Sequence, residues 1–339
     1  MNPAAWAVAP RLPSGALSPS QHYGAIENDV ATEYAVITPA RDEARFLPDL
    51  IADMVAQTLR PVQWIVVDDG SGDGTPLVVR DAASRHDWIR LIQMARRQDR
   101  LPGPGVVRAF NTGLESIDLL RVQFIVKLDA DVRLPPTYFE AIIAAFKQRP
   151  HMGIAGGVCV EDGNVVAGGP RYHVRGATKV YRTQCFVEIG GLVPLLPWDG
   201  IDEISAIAHG WETETIHDIS FEHRRPAGSH ADAGGRLHAC FREGRGSYIR
   251  RSLPLFAFLR AGHLAIRAGP VGGLAALLGY LSGFLVGAER VHDRQIVTVQ
   301  RLLEWQRLRG ALDVAAIARS RRARKARGRE EEQRSGGSS

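Results

Sequence analysis

Cysteine is scarce in this sequence. Three in 339 residues (Cys159, Cys185, Cys240) are too few for a disulfide framework and lack the paired spacing of a zinc site, which points to a reducing compartment. A secretory leader is not evident: MNPAAWAVAPRLPSGALSPSQ has neither an early basic region nor an uninterrupted apolar core. Its Pro, Ser and Ala content reads as a flexible extension over residues 1–32. No repeat of solenoid length occurs. Extreme charge is absent too, since a net +5 with 45% hydrophobic and 23% charged residues is the composition of an ordinary globular protein with a full core. The charge is unevenly spread, however. Acids are frequent in the first two hundred residues, whereas arginine dominates from Phe241 onward, which suits an anionic surface or partner. The last segment, 318–339, is a basic block, an acidic block and a Gly/Ser end, and is expected to be disordered. No aromatic is interleaved with its arginines as base stacking requires, so no nucleic-acid partner is expected.

From Tyr34 a regular alternation begins. Strand-like runs at Tyr34–Thr38, Val62–Val67, Ile89–Gln93 and Val122–Leu128 are separated by helical periodicity at Glu43–Thr58, Thr75–Ser84 and Val106–Leu119, and followed by it at Pro135–Lys147. Pro39 is expected to stop the first strand. This order predicts an α/β fold with a doubly wound, mostly parallel sheet. After Arg149 come Gly-rich strand-like pieces (Gly153–Val160, Val165–Val174), an acidic stretch Trp198–Glu203, a short helix Ile204–His209, and two strands, Thr213–Ile216 and Ile219–His223. The organisation expected is an extension (1–32), a catalytic domain (33–230), a C-terminal helical region (231–317) and a charged tail (318–339).

Two acidic clusters close apolar strands. Val122–Leu128 runs into Asp129-Ala130-Asp131, and Trp64–Val67 runs into Asp68-Asp69-Gly70-Ser71. Side chains two apart on a strand share a face, so Asp129 and Asp131 point the same way and repel unless a cation lies between them. All-oxygen ligands suit Mg²⁺ or Mn²⁺, and these in turn suit a diphosphate. In open α/β sheets ligands bind outside the carboxyl ends of strands, where both clusters fall. Asp73-Gly74-Thr75 reads as a helix cap. His223 ends an apolar run, and a neutral imidazole is a competent Mn²⁺ ligand, although a lone histidine also has ordinary structural uses. Arg224 and Arg225 suit either a bidentate phosphate clamp or a solvated basic pair.

Residues 268–287 (AGPVGGLAALLGYLSGFLVG) carry no charge over twenty positions, the length of a membrane span. Six glycines and a proline weaken a spanning helix. The preferred reading is an apolar hairpin on a membrane surface with Arg260, Arg267 and Arg290 at the headgroups. A span and an internal helical core are the alternatives.

With these pieces in place, the chain resembles the family 2 glycosyltransferases, which have the GT-A fold. The resemblance rests on Val36-Ile37-Thr38-Pro39-Ala40-Arg41-Asp42-Glu43, on Val66 to Thr75 (VVDDGSGDGT), on Lys127-Leu128-Asp129-Ala130-Asp131, and further on Gly190-Gly191 and Trp198–Glu203. It covers roughly Glu33 to Pro226. It implies an inverting enzyme that moves a sugar from a nucleotide diphosphate to a glycan or lipid-linked acceptor, with Mn²⁺ or Mg²⁺ as cofactor and an acceptor-side subdomain beside the sheet. By resemblance, Asp131 binds the metal, Asp129 lies near the ribose or a metal-bound water, and His223 adds a metal ligand. Pro39, Arg41 and Glu43 cradle the nucleotide, Asp68 or Asp69 accepts a hydrogen bond from the base, and Arg108 with Asn111 face the nucleotide from the helix after Gly105. Two positions depart from the family: Ala40-Arg41 replaces the usual aromatic-Asn, and the usual Glu-Asp pair appears as Trp198-Asp199-Gly200-Ile201-Asp202-Glu203.

Inversion in one displacement requires a carboxylate to take the acceptor's proton. Asp199, Asp202 and Glu203 qualify. Asp199 matches by its distance from Gly210-Trp211, Asp202-Glu203 by being an acidic pair, and Asp202 is preferred, its structural alternative being an N-cap of Ile204–His209. The activity expected is polysaccharide or glycolipid synthesis at the cytoplasmic membrane face. A sugar-1-phosphate nucleotidyltransferase would need a basic Gly-rich loop after the first strand, which Thr38–Glu43 is not. A non-catalytic membrane-associated scaffold of the same fold would have no need of the acids that are present here.

Overall fold

The computed structural model describes residues 32–96, 104–166, 169–194, 198–225 and 235–308. The charged tail, residues 226–234 and all but the last residue of the expected N-terminal extension lie outside the described residues.

Contacts divide the chain into two units, 1–194 with 211–224, and 195–210 with 225–339. In the first, elements follow in the order β1 (Tyr34–Ala40), α1 (Leu47–Val55), β2 (Gln63–Asp68), α2 (Thr75–Arg85), β3 (Ile89–Gln93), α3 (Pro104–Leu114), β4 (Phe124–Leu128), β5 (Val132–Arg133), α4 (Tyr138–Gln148), β6 (Met152–Glu161), β7 (Asn164–Val165), β8 (Thr178–Arg182), α5 (Thr183–Glu188) and β9 (Glu212–His223). One mixed sheet runs β3-β2-β1-β4-β8-β6-β9-β5, with β7 on β6. The half β3-β2-β1-β4 is parallel throughout; β8 joins it antiparallel to β4, β6 is antiparallel to β8, and β9 is parallel to β6. Chain order proceeds outward from β1 to β3 and then returns to β1's other side with β4. The crevice at that reversal is where such sheets take ligands.

The strands that pair on both sides are apolar on both faces, as burial by helices demands. Tyr34 to Ile37, Trp64 to Val67 and Phe124 to Leu128 are buried, Lys127 among them. Where they carry polar groups, these are satisfied internally: Trp64 Nε1 donates to Thr38 Oγ1 (2.9 Å) and Tyr34 Oη to the Leu59 carbonyl (2.6 Å). Helix α4 is pinned through its buried Tyr138, whose hydroxyl meets Thr178 Oγ1 at 2.8 Å and accepts from the Gly157 amide at 2.9 Å.

Several expectations change. Strand β1 continues through Pro39 to Ala40. Its ladder to β4 ends at Ile37, so the proline removes no bond there, while the register to β2 carries on through Pro39↔Val67. Among the described residues of 165–174 only Val165 lies in a strand, Gly169 and Pro170 are strand breakers, and the pairing is made by Thr178–Arg182. The two strands expected over 213–223 are one, with a register shift between Ile216 and Ser220 that absorbs the polar interruption.

The second unit is helical: α6 (Trp198–Ala208), α7 (Gly235–Ile249), α8 (Pro254–Ala268), α9 (Pro270–Leu285) and α10 (Arg294–Leu308). Helix α6 starts six residues before the expected Ile204, which places all three candidate base residues inside it. The charge-free stretch forms the end of α8 and all of α9. Among the described residues no helix is long and apolar enough to cross a membrane. Its glycines serve as a packing seam. Gly272, Gly273, Ala276, Gly279 and Gly283 are the buried positions of α9, and a Cβ at Gly279 would stand 2.0 Å from the Phe241 carbonyl oxygen of α7. The opposite face is apolar and exposed: Val271, Leu274, Leu278, Leu281 and Leu285 on α9, with Leu255, Phe258, Leu259 and Ile266 on α8.

Candidate active site

The parallel half of the sheet sends three loops off one edge, after Ala40, Asp68 and Leu128. The first two are stitched together. Asp42, at φ 58°, accepts the Gly72 amide on its Oδ1 (2.7 Å) and donates its own amide to Ser71 Oγ (2.9 Å). Asp73 Oδ1 accepts both the amide and the hydroxyl of Thr75 (2.9 and 2.6 Å), and its Oδ2 accepts the Ala44 amide (3.1 Å). The capping expected of Asp73-Gly74-Thr75 is thus made by Asp73 from just outside the helix, Gly74 being the N-cap residue. These hydrogen bonds hold the Asp73 carboxyl below the ordinary carboxylate range against the opposing effect of partial burial. Gly70 turns at φ 71°, and a Cβ there would lie 2.4 Å from the Arg96 Cα, so no other residue fits the turn.

The two acids after β2 have different tasks. Asp68 is buried and structural: its Oδ1 takes the Ser71 amide (3.0 Å) and its Oδ2 faces Gln93 Nε2 (3.4 Å). Asp69 meets Arg41, with Nη1 and Oδ2 3.7 Å apart. A Cβ on Gly105, in the first turn of α3, would lie 3.8 Å from Asp69 Oδ2 and 4.0 Å from Arg108 Nη2. Asp69 and Arg108 therefore meet at Gly105, with Arg41 beside Asp69. Pro39 lies at the end of β1. Glu43 is buried one turn on, its amide donating to Thr75 Oγ1 (2.8 Å).

Beyond β4, Asp129 continues the ladder by donating its amide to the Ala177 carbonyl (2.8 Å), and the Asp131 carbonyl accepts the Arg224 amide (2.8 Å) beside the β5–β9 pair. That pair, in register Val132↔His223, brings His223 against Asp131: Nε2 lies 3.4 Å from Asp131 Oδ1. Arg133 locks β5 to α1 through a bidentate bond to Asp53 (2.6 and 2.9 Å). One ligand atom each from Asp129, Asp131 and His223 lies within 4.8 Å of the others. Two carboxylates and an imidazole fit a divalent cation of the Mn²⁺ type.

A residue that sequence reasoning missed completes the electrostatics. Lys127, buried and two positions before Asp129 on the same strand face, forms an ion pair with the Asp129 carboxylate and donates to the Gly176 carbonyl (2.5 Å). The signal was the same i, i+2 spacing that relates Asp129 to Asp131. Desolvation still raises the Asp129 carboxyl above its ordinary value, Lys127 opposing and Asp131 adding to it. Burial alone would disfavour a charged His223, but hydrogen bonding and charge from Asp131, then Asp129 and Glu161, outweigh it and raise its pKa.

The sequence offers Arg224 and Arg225 as a phosphate clamp or a solvated basic pair. Arg224 Nη1 bonds Asp49 of α1 (3.1 Å), and Arg225 ends the described segment. In the second unit Asp199 lies half-buried in the first turn of α6, where a negative charge suits the helix dipole. Asp202 and Glu203 are buried, with the Glu203 amide donating to Asp202 Oδ1 (2.8 Å). Asp202 is thus within the helix, which corrects the N-cap alternative.

Comparison with known proteins bears on the family and the fold. Residues 35–197 match the family model described as glycosyl transferase family 2. No curated protein matches the chain. Among solved structures the chain is similar to GalNAc-T7 with UDP, GalNAc and Mn²⁺ (11% identity over 78% of this chain and 56% of that chain, TM-score 0.50). It is also similar to the mannosyltransferase PcManGT from Pyrobaculum calidifontis in complex with GDP-Man and Mn²⁺ (18%, 87% and 82%, 0.48). A third is S. aureus TarS (14%, 69% and 40%, 0.48), of whose length this chain spans less than half. At these identities the likeness is one of fold.

Proposed function

We propose that this chain, whose residues 35–197 belong to the family 2 glycosyl transferases, transfers a sugar with inversion from a nucleotide diphosphate donor to a glycan or lipid-linked acceptor. The observation that carries the reading is the convergence of Asp129, Asp131 and His223 at the edge of the sheet where its strand order reverses. In this reading Asp131 and His223 are the metal ligands and Asp129, already neutralised in part by Lys127, lies toward the ribose or a metal-bound water. Mn²⁺ is favoured over Mg²⁺ because Mg²⁺ prefers oxygen donors throughout. Such a cation, when bound, acts as a Lewis acid on the leaving diphosphate. GalNAc-T7, whose structure is similar at a TM-score of 0.50, holds UDP, GalNAc and Mn²⁺, which accords with the donor class.

The chain's own residues do the rest. Asp69 accepts a hydrogen bond from an imide or amino N–H of the base, in preference to Asp68, whose oxygens are taken by Ser71 and Gln93. Arg41 and Arg108 offer guanidinium donors to the nucleotide, with Pro39 and Glu43 shaping the wall. The acceptor's proton passes to Asp202, which burial keeps from bulk water, with Asp199 and Glu203 as the alternatives. The exposed apolar faces of α8 and α9 support a peripheral seat on the cytoplasmic face of a membrane, where a lipid-linked acceptor is presented. The decisive experiment is a screen of nucleotide sugars for Mn²⁺-dependent turnover by the full chain. Hydrolysis or transfer of at least one donor, lost on chelation, is expected; no turnover of any donor with an otherwise folded protein would refute the reading.

A further inference from the structure

Strands β6 and β9 run parallel, and their register Val160↔Glu222 sets Glu161 and His223, the last residues of the two strands, beside each other. On its other side β9 pairs β5 through His223↔Val132, which brings Asp131 up. The imidazole is therefore held between two carboxylates, Nδ1 3.4 Å from Glu161 Oε1 and Nε2 3.4 Å from Asp131 Oδ1. A metal-bound histidine almost always gives its other ring N–H to a carboxylate, carbonyl or water, which fixes the tautomer and the ring plane. Glu161 is itself held: Arg175 Nη1 lies 3.8 Å from the same oxygen, and Cys159 Sγ at 3.9 Å offers it a weak S–H donor.

We propose that Glu161 is the positioning residue of this site, accepting Nδ1–H from His223 so that the Nε2 lone pair is presented toward Asp131 and the cation. The inference rests on the metal site proposed above and adds a residue that no motif of the sequence singles out. It also separates the two acidic neighbours of His223 by role. Asp131 shares the cation with the ring, and Glu161 never touches it. The alternative cluster of Cys159, Glu161 and His223 is then the support of the site, with Nδ1 protonated and turned away from metal.

Two measurements on the full chain test this, neither of which reads turnover. In the metal-free protein at alkaline pH, where the ring is neutral, long-range ¹H–¹⁵N correlation of labelled histidine should show His223 as the Nδ1–H tautomer, assigned by its loss in His223→Asn. Glu161→Gln keeps a carbonyl acceptor and should retain that tautomer, whereas Glu161→Ala should lose it. Mn²⁺ affinity, read from the free-ion paramagnetic resonance signal without donor, should weaken about 10–100-fold in Glu161→Ala and less in Glu161→Gln. A wild-type ring protonated on Nε2 would overturn the proposal, and so would an unchanged Mn²⁺ affinity in Glu161→Ala. Should the alanine variant not fold, the wild-type tautomer and the glutamine variant still decide. Asp131→Ala separates the two levels of inference: unchanged Mn²⁺ binding there removes the metal site and this role with it, while loss at Asp131 alone with no effect at Glu161 removes only the positioning role.

Discussion

Lys127 shows how an acidic pair can be held without its ion. Its ammonium pairs with Asp129 from inside the strand, so one of two neighbouring carboxylates has a partner within the fold, and in the proposed metal site Asp131 with His223 is the part that would answer to a cation. Calorimetric titration of UDP and GDP should therefore show Mn²⁺-dependent binding in the wild type and little Mn²⁺ dependence in Asp131→Ala; equal affinities with and without metal in both proteins would exclude the assignment. At the candidate base, Asp202→Asn should lower turnover by about two to four orders of magnitude while donor affinity stays nearly constant. Asp199→Asn should be milder. If the large loss appears at Asp199 alone, the roles are exchanged. The carboxylates of this site were legible because strand periodicity places Asp129 and Asp131 on one face. The meeting of His223 with Asp131 was expected only by family resemblance, since it depends on β5, a strand of two residues whose pairing no local pattern encodes.

Elements show the same division between local and non-local information. The parallel strands β1 to β4 were readable as apolar runs ended by loops, and their bounds shift by only a residue or two. Helix α6 was underestimated because its first turn is Trp-Asp-Gly-Ile, in which a glycine and an acid look like loop, whereas the apolar contacts of Ile201 with Val291 and Val297 make it helix. The glycines of α9, read in the sequence as weakening a spanning helix, are also contacts. Gly244 of α7 and Gly279 of α9 let the two backbones approach until an added Cβ would lie 1.8 Å from the Ala276 carbonyl oxygen or 2.0 Å from that of Phe241. Gly279→Val should cost about 1–3 kcal/mol or more by overpacking, seen as a lowered thermal midpoint, while Leu278→Val on the exposed side should change it little. An unaltered midpoint for Gly279→Val would disprove the seam. The α7 carboxylate Glu243 adds a pH test. Burial opposes its charge, but Arg250 (3.3 Å) and Arg260 (2.8 Å) outweigh this and hold it below the ordinary glutamate value. A depressed folded-state pKa contributes stability above the unfolded value and loses it as pH falls through the folded one. The melting temperature should thus decline on acidification below about pH 4.5, and Glu243→Gln should lower it at neutral pH and flatten that decline; a variant with the wild-type profile would show the ion pairs to be without effect.

For the whole molecule, the question is why a protein of ordinary soluble composition should show so many large apolar side chains on two consecutive helices. Val271, Leu274, Leu278, Leu281 and Leu285 recur at three- and four-residue steps along α9, and Leu255, Phe258, Leu259 and Ile266 stand at i, i+3, i+4 and i+11 along α8, so each helix has a stripe rather than scattered exceptions. The hydroxyl of Ser282 is turned back to the Gly279 carbonyl (2.7 Å) and asks nothing of water. At 16 residues α9 is about 24 Å long, short of the roughly 30 Å hydrocarbon core, which favours lying in the interface over crossing it. Anionic headgroups would add about 1 kcal/mol for each nearby basic residue, and Arg267 is exposed at the end of α8. The full chain should therefore cosediment with anionic vesicles, more weakly as salt rises but not wholly released by it. Replacing Leu274, Leu278 and Leu281 together by serine, at roughly 1–2 kcal/mol each of lost burial, should weaken partition by two to four orders of magnitude while Mn²⁺-dependent nucleotide binding persists. If the wild type stays in solution with vesicles at low salt, or the serine variant partitions equally well, the stripe has another purpose and the acceptor is to be sought among soluble glycans.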